Sequence, residues 1–156
     1  VSEMVKRVQI PVAFHGHNNL GLSAANALAA EEAGASVFDC GLMGMARSAG
    51  NCATEIAVAT FQRLGKMEDV DLYALLHFID DELAPAMAEY GYQAPVKPID
   101  LVYGLSGCHS SFAKLFEDAA REKDVDLYRL ITKVSAIDQK APSAELINKI
   151  ADELKQ

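Results

Sequence analysis

Residues 14–19 read Phe14-His15-Gly16-His17-Asn18-Asn19 and follow an apolar, β-prone run, residues 10–14. On an extended chain, residues two apart point the same way. His15 and His17 would therefore present two imidazoles to one side, with only a hydrogen at Gly16 between them. That is half of a metal site. Imidazole pairs suit Zn, Mn, Fe, Co or Ni, with carboxylate and water completing the set. Two metal-free histidines hydrogen-bonded at a strand end are the alternative, and spacing alone leaves both open. Asp39, at the end of a second β-prone run (residues 36–40), could orient one of the histidines from behind or cap the loop that follows.

A Gly-rich loop over residues 41–50 comes next. It leads into a predicted helix with Asn51 as N-cap and a stop at Gly65. A helix N-terminus offers unpaired N–H groups to an anion, and Arg47 adds a fork suited to a carboxylate or phosphate. The Gly spacing matches neither a dinucleotide fingerprint nor a phosphate loop. Cys52 is expected in the first turn of that helix, where a thiolate is stabilised. No base is marked for it, and a packed, inert cysteine is the alternative. His77 falls inside an amphipathic stretch and reads as a surface or boundary residue.

The elements that must position these groups follow from periodicity and punctuation. Residues 9–14 read as a strand, 20–33 as a helix ended by Gly34, 36–40 as a second strand and 51–64 as a second helix. Strands alternating with helices predict a parallel sheet with right-handed crossovers. Two strands are too few for such a sheet, whose strands are normally covered on both faces. The remaining strands are expected from another copy of the chain or from residues upstream of Val1. Beyond residue 68 the pattern is helical. Residues 71–90 carry apolar residues on one face, with Pro85 as a kink point. Residues 91–98 read as a linker and 99–103 as a short extended segment. Ser110 or Ser111 is placed to cap a helix carrying Phe112, Leu115, Phe116 and Ala119, and two further helices centre on residues 127–134 and 146–154. Residues 69–76 and 124–131 echo one another, Asp-Val-Asp-Leu-Tyr in both. An Asp cap followed by apolar residues is what many helix starts share, so coincidence is the favoured reading.

Composition bounds the function. The 156 residues are 51% hydrophobic and 23% charged, with a net charge of −8. No basic stripe is present to neutralise phosphates, which argues against nucleic-acid binding. No apolar run approaches the ~18 residues of a membrane span. Three cysteines without a CxxC pair fit a reducing cytoplasm better than a disulfide scaffold.

The order Phe14-His15-Gly16-His17-Asn18-Asn19-Leu20-Gly21-Leu22-Ser23, then Ala25-Asn26, Glu32-Ala33-Gly34-Ala35, Asp39 and Gly50-Asn51-x-x-Thr54-Glu55 resembles the 4-hydroxy-2-oxovalerate aldolases. These belong to a superfamily with hydroxymethylglutaryl-CoA lyase and the isopropylmalate and homocitrate synthases. The HxHN and GNxxTE motifs, about 35 residues apart, carry the superfamily. The Gly107-x-x-Ser110-Ser111-Phe112 segment points to the aldolase branch.

The resemblance implies an α/β fold: residues 1–68 would hold the last two β/α units of a TIM (β/α)8 barrel, and residues 69–156 an all-helical C-terminal domain. It implies a divalent ion, Mn2+ or Mg2+, held by His15 and His17, with Asn51 approaching or ligating it. It implies cleavage of a 2-oxo acid to pyruvate and an aldehyde, a homo-oligomer, and an acylating aldehyde dehydrogenase as partner. The family's metal aspartate, and the arginine and histidine that act on the enolate, come from the first strand, so the catalytic groups are expected upstream of Val1. The chain alone would be inactive or nearly so. Three residues depart from the family pattern: Arg47 and Ser48 stand in a loop that is mostly Gly and Ala in the family, and His109 replaces a pocket tyrosine; Arg47 and His109 are the candidate substrate-pocket residues. A CoA-dependent condensing enzyme or lyase, and a non-catalytic dimerisation or dehydrogenase-docking module, are the alternatives.

Overall fold

The computed structural model describes all residues except Asn19, Arg47, Ser48, residues 95–97 and Gln156, and only the backbone of Asp100. The chain divides into two compact units, Val1–Pro95 and Val96–Gln156.

The first unit is α/β. After the short helix α1 (Ser2–Val5), strand β1 (Ala13–His15) leads through helix α2 (Ser23–Glu32) to strand β2 (Val37–Asp39). The strands pair in parallel, Ala13 with Val37, Phe14 with Phe38 and His15 with Asp39. Both strands are three residues long, shorter than the expected 9–14 and 36–40. Alternation sends Phe14 and Phe38 to the face covered by α2 and by helix α3 (Thr54–Gln62), where they meet Ala27, Cys52, Ala57 and Phe61. Phe38 and Phe61 lie 5.0 Å apart, tilted by 48°, a favoured aromatic geometry. Ala13, His15, Val37 and Asp39 occupy the opposite, exposed face.

Asn51 does not cap α3; Ala53 does, and the helix begins at Thr54. Asn51 and Cys52 are extended instead because their backbones bridge to neighbouring segments, described below. Helix α4 (Leu72–Phe78) starts where Asp71 accepts the Ala74 N–H at 3.0 Å. It passes through a π-helical turn (Ile79–Leu83) into α5 (Ala84–Ala88). Pro85 has no N–H for the helical ladder, and the wider turn just before it accommodates that break.

The second unit is all helical among the described residues: α6 (Pro98–Ser106), α7 (Ala113–Lys123), α8 (Leu127–Ser135) and α9 (Ala144–Leu154). The expected extended segment 99–103 lies within α6. The run Ile-Asp-Leu-Val-Tyr, four apolar residues interrupted by one Asp, is ambiguous between strand and buried helix. Here Val102, Tyr103 and Ser106, at helical spacing, are the buried positions, and Pro98 suits a first helical turn. Phe116, Leu130, Ile131, Val134, Ile147 and Ala151 are at most 1% exposed and form this unit's core. Asp126 accepts the Arg129 N–H and Ser143 the Leu146 N–H at the starts of α8 and α9. The two halves of the Asp-Val-Asp-Leu-Tyr echo thus share one capping bond, from Asp71 and from Asp126.

Candidate metal centre

His15 ends β1 in register with Asp39 at the end of β2. Register partners face the same side of a sheet, and His15 Nδ1 meets Asp39 Oδ2 at 2.8 Å. An ionised carboxylate only accepts, so the proton sits on Nδ1 and the lone pair on Nε2. The two side chains are 46% and 64% exposed, and such a pair stabilises the fold by no more than about 1 kcal/mol. Its effect is on ring orientation and tautomer, as with carboxylates behind metal-ligating histidines.

Gly16 then carries the chain past the Phe14 ring. A Cβ at Gly16 would come within 2.7 Å of that ring, so the spacer between the histidines has to be hydrogen. The Gly16 carbonyl accepts the Cys52 N–H at 3.0 Å, and the Asn18 N–H reaches the Gly50 carbonyl at 2.9 Å. These bonds frame an antiparallel bridge between His17 and Asn51. A pair flanked in this way is the closely spaced, non-hydrogen-bonded kind, with Cα atoms about 4.5 Å apart and side chains on one face. The His15 and His17 rings stand edge to face with centroids 5.0 Å apart. The structure thus brings His15, His17, Asp39 and Asn51 together. Among the described residues no group of three or more His, Cys, Asp or Glu could hold a metal ion. The fit to a divalent ion is that of a half-site: one lone pair aimed by Asp39, a second imidazole beside it, and the Asn51 amide as an oxygen donor.

Asn51 is held from the other side. Its N–H donates to the Gly44 carbonyl at 3.1 Å. Gly50 has φ +83°, and a Cβ there would collide with the same carbonyl oxygen, so glycine is required on two grounds. One turn earlier, Met43 sits at φ +55°, unusual for a side-chain-bearing residue. Both its backbone groups are clamped: the N–H by Glu55 Oε2 at 3.1 Å and the carbonyl by the Tyr92 hydroxyl at 2.6 Å. Glu55 is 4% exposed, and burial pushes its carboxyl above the ordinary range despite bonds from its own N–H and that of Met43. Burial and the Glu55 charge raise the Tyr92 hydroxyl as well. The anion that meets this helix start is therefore the chain's own Glu55. Spacing gave no reason to join Tyr92 to Met43, 49 residues away. Glu55 left two signals, its place in the GNxxTE motif and an acidic side chain in a first helical turn.

Cys52 is not in the first turn of α3. It is 2% exposed, with its thiol 3.9 Å from the Ala53 carbonyl; the neighbouring Cys40 thiol lowers Cys52 to about 7, while burial opposes and Ser23 assists. The same contact, with burial, pushes Cys40 far up. His77 lies in α4, half-buried.

Arg47 lies outside the described residues. His109 belongs to the second unit. Neither Ser110 nor Ser111 caps α7; they lie in a 3-10 turn (Ser110–Phe112) capped by His109, whose Nδ1 accepts the Ser111 N–H at 3.1 Å. The Ser111 hydroxyl lies 2.9 Å from the same nitrogen. Nδ1 is thereby the acceptor and Nε2 carries the proton. His109 lines an open cavity of about 410 Å³ with Tyr103, Gly104, Gly107, Cys108 and Ser110.

Residues 1–81 match the HMGL-like family model. The chain belongs to the HMGL-like family. The matched stretch contains His15, His17, Asp39 and Asn51, whereas His109 lies beyond it. The chain is 40% identical over 129 residues to a 4-hydroxy-2-oxovalerate aldolase of Pectobacterium atrosepticum, covering 81% of this chain and 36% of that protein. It is 37% identical over 134 residues to one of Desulfitobacterium hafniense, covering 86% and 39%. It is 33% identical over 156 residues to one of Moorella thermoacetica, covering 100% and 45%. The chain spans less than half the length of each of these relatives.

Proposed function

We propose that this chain is the C-terminal part of a divalent-metal-dependent aldolase that cleaves 4-hydroxy-2-oxovalerate-type acids to pyruvate and an aldehyde. The observation that carries the reading is the imidazole pair with its Asp39 brace and facing Asn51, in a chain 33–40% identical to proteins bearing that aldolase name. His15 Nε2, the His17 imidazole and the Asn51 amide would hold Mn2+ or Mg2+. The ion supplies Lewis-acid polarisation of the substrate's 2-oxo group. The chain's own residues do the positioning. Asp39 keeps the His15 proton on Nδ1. Gly16 lets the backbone pass Phe14, and the Met43 clamp sets the carbonyl partner of Asn51. His109, with its proton on Nε2, and Arg47 are the substrate-pocket residues of the proposal.

Two imidazoles and an amide are a weak set for a hard divalent ion. The proposal therefore has a carboxylate and the acid–base groups contributed by further β/α units of a longer protein, with residues 1–68 as barrel and 69–156 as helical domain. The exposed sheet face bearing His15 and Asp39 supports this, because parallel strands are normally covered on both faces. Homo-oligomerisation and an acylating aldehyde dehydrogenase partner belong to the same proposal. Turnover of 4-hydroxy-2-oxovalerate, followed as pyruvate through lactate dehydrogenase, tests it. Activity is expected when upstream β/α units are joined to this chain and not from the chain alone. No pyruvate from the joined protein would refute the aldolase, and robust turnover by the chain alone would refute the division of labour.

A further inference from the structure

An isolated parallel bridge pairs Gly41 with Ala53, the residues that directly follow Cys40 and Cys52. The Gly41 N–H donates to the Cys52 carbonyl at 3.0 Å, and the Thr54 N–H to the Gly41 carbonyl at 2.9 Å. One step back along both segments, Cys40 stands beside Cys52, and register neighbours point to the same side. Adjacent strands run about 4.7–4.9 Å apart, inside the roughly 4.4–6.8 Å between Cα atoms that a disulfide spans. Cys40 packs against the cluster that contains Cys52. Cys40 is half-buried and Cys52 fully buried, and the Cys52 thiol lies 3.9 Å from the Ala53 carbonyl. Cys108 belongs to the second unit and directs its thiol to the His109 carbonyl.

We propose that Cys40 and Cys52 form a dithiol modification site that hydroperoxides close into an intrachain disulfide. One of the two sulfurs, as its thiolate, attacks the terminal peroxide oxygen. An S–O bond forms, the O–O bond breaks, and the departing oxygen takes the proton lost from that thiol, leaving as water or an alcohol. The other sulfur then attacks the oxidised one. The S–S bond forms, the S–O bond breaks, and hydroxide leaves with the second thiol's proton as water. The hydroperoxide is reduced by two electrons and the dithiol oxidised by two. Nothing in this step depends on the metal or on the aldolase reaction, so it stands or falls separately from them.

The test is hydrogen peroxide treatment of the native chain, alkylation of remaining thiols, and non-reducing tryptic mapping. Arg47 lies between the two cysteines, so trypsin separates Cys40 from Cys52 unless a disulfide joins their peptides. The expected product is one linked pair lighter by two hydrogens, with alkylation lost at Cys40 and Cys52 and kept at Cys108. Cys108→Ser should leave that product unchanged. The same treatment in denaturant should scatter the linkages over all three cysteines. Alkylation of both Cys40 and Cys52 after peroxide, Cys40 oxidised to the sulfinic acid without linkage, or native linkages as scattered as the denatured ones would each overturn the proposal.

Discussion

The two units of this chain differ in what they leave exposed. In Val96–Gln156 the helices bury Val102, Phe116, Leu130, Ile131 and Val134 without measurable exposure, although Leu115 of α7 stays 43% exposed. In Val1–Pro95 the sheet is covered on one side only. Its packed face relies on alanines, Cys52 and three phenylalanines, while Val37 is 47% and Ile10 71% exposed. The histidines stand on the uncovered side. One unit puts its apolar surface into stability. The other holds an exposed polar face in place with hydrogen bonds and with glycines that the backbone path requires.

Truncations should separate the two regimes. Phe116→Ala or Leu130→Ala in the helical unit is expected to cost about 3–5 kcal/mol in denaturant unfolding, the range for emptied core sites. Val37→Ala on the exposed sheet face should cost within about 1 kcal/mol. Equal costs would show that the sheet face is covered after all. Next in size is Gly50→Ala. A positive φ and a collision with the Gly44 carbonyl should cost about 1–3 kcal/mol or more, and Mn2+ affinity should fall with it because Asn51 hangs on that carbonyl. Wild-type stability and affinity in this variant would remove the loop from the account.

Asp39→Asn sharpens the contrast from the other side. Its exposed contact with His15 is worth at most about 1 kcal/mol to folding, yet loss of such a brace typically weakens metal binding about 10–100-fold. Affinity unchanged in a calorimetric Mn2+ titration would reduce Asp39 to a surface residue. The smallest effect is one of pH. Burial holds the Glu55 carboxyl above its ordinary value, so the folded chain binds that proton more tightly than the unfolded one. Stability then falls as pH rises from the ordinary carboxylate range through the folded-state value, and the favourable contribution is fully present only below that range. Glu55→Gln keeps an oxygen for the Met43 N–H and should flatten this slope. An unchanged slope would show that Glu55 is not its source.

Local chemistry was legible in the sequence. Asp71, Asp126 and Ser143 each accept the N–H three residues on, a pattern readable within one helical turn. The alternation that puts His15 and His17 on one side follows from the period of an extended chain. What escaped was set by distant partners. Asn51 looks like a helix cap until its backbone is seen bridging to His17 and Gly44. Residues 99–103 look extended because four apolar residues around one Asp carry no decisive period. Tyr92 gives no local sign that its hydroxyl secures Met43.

The central claim is that two neighbouring imidazoles ligate one divalent ion. The most direct measurement is pulsed electron paramagnetic resonance of bound Mn2+ in this chain joined to upstream β/α units, as in the turnover test, and grown with isotope-labelled histidine. Coupling to two imidazole nitrogens is predicted, falling to one in His15→Ala and in His17→Ala. Bound Mn2+ without histidine nitrogen coupling, or with coupling that both variants leave intact, would contradict the account.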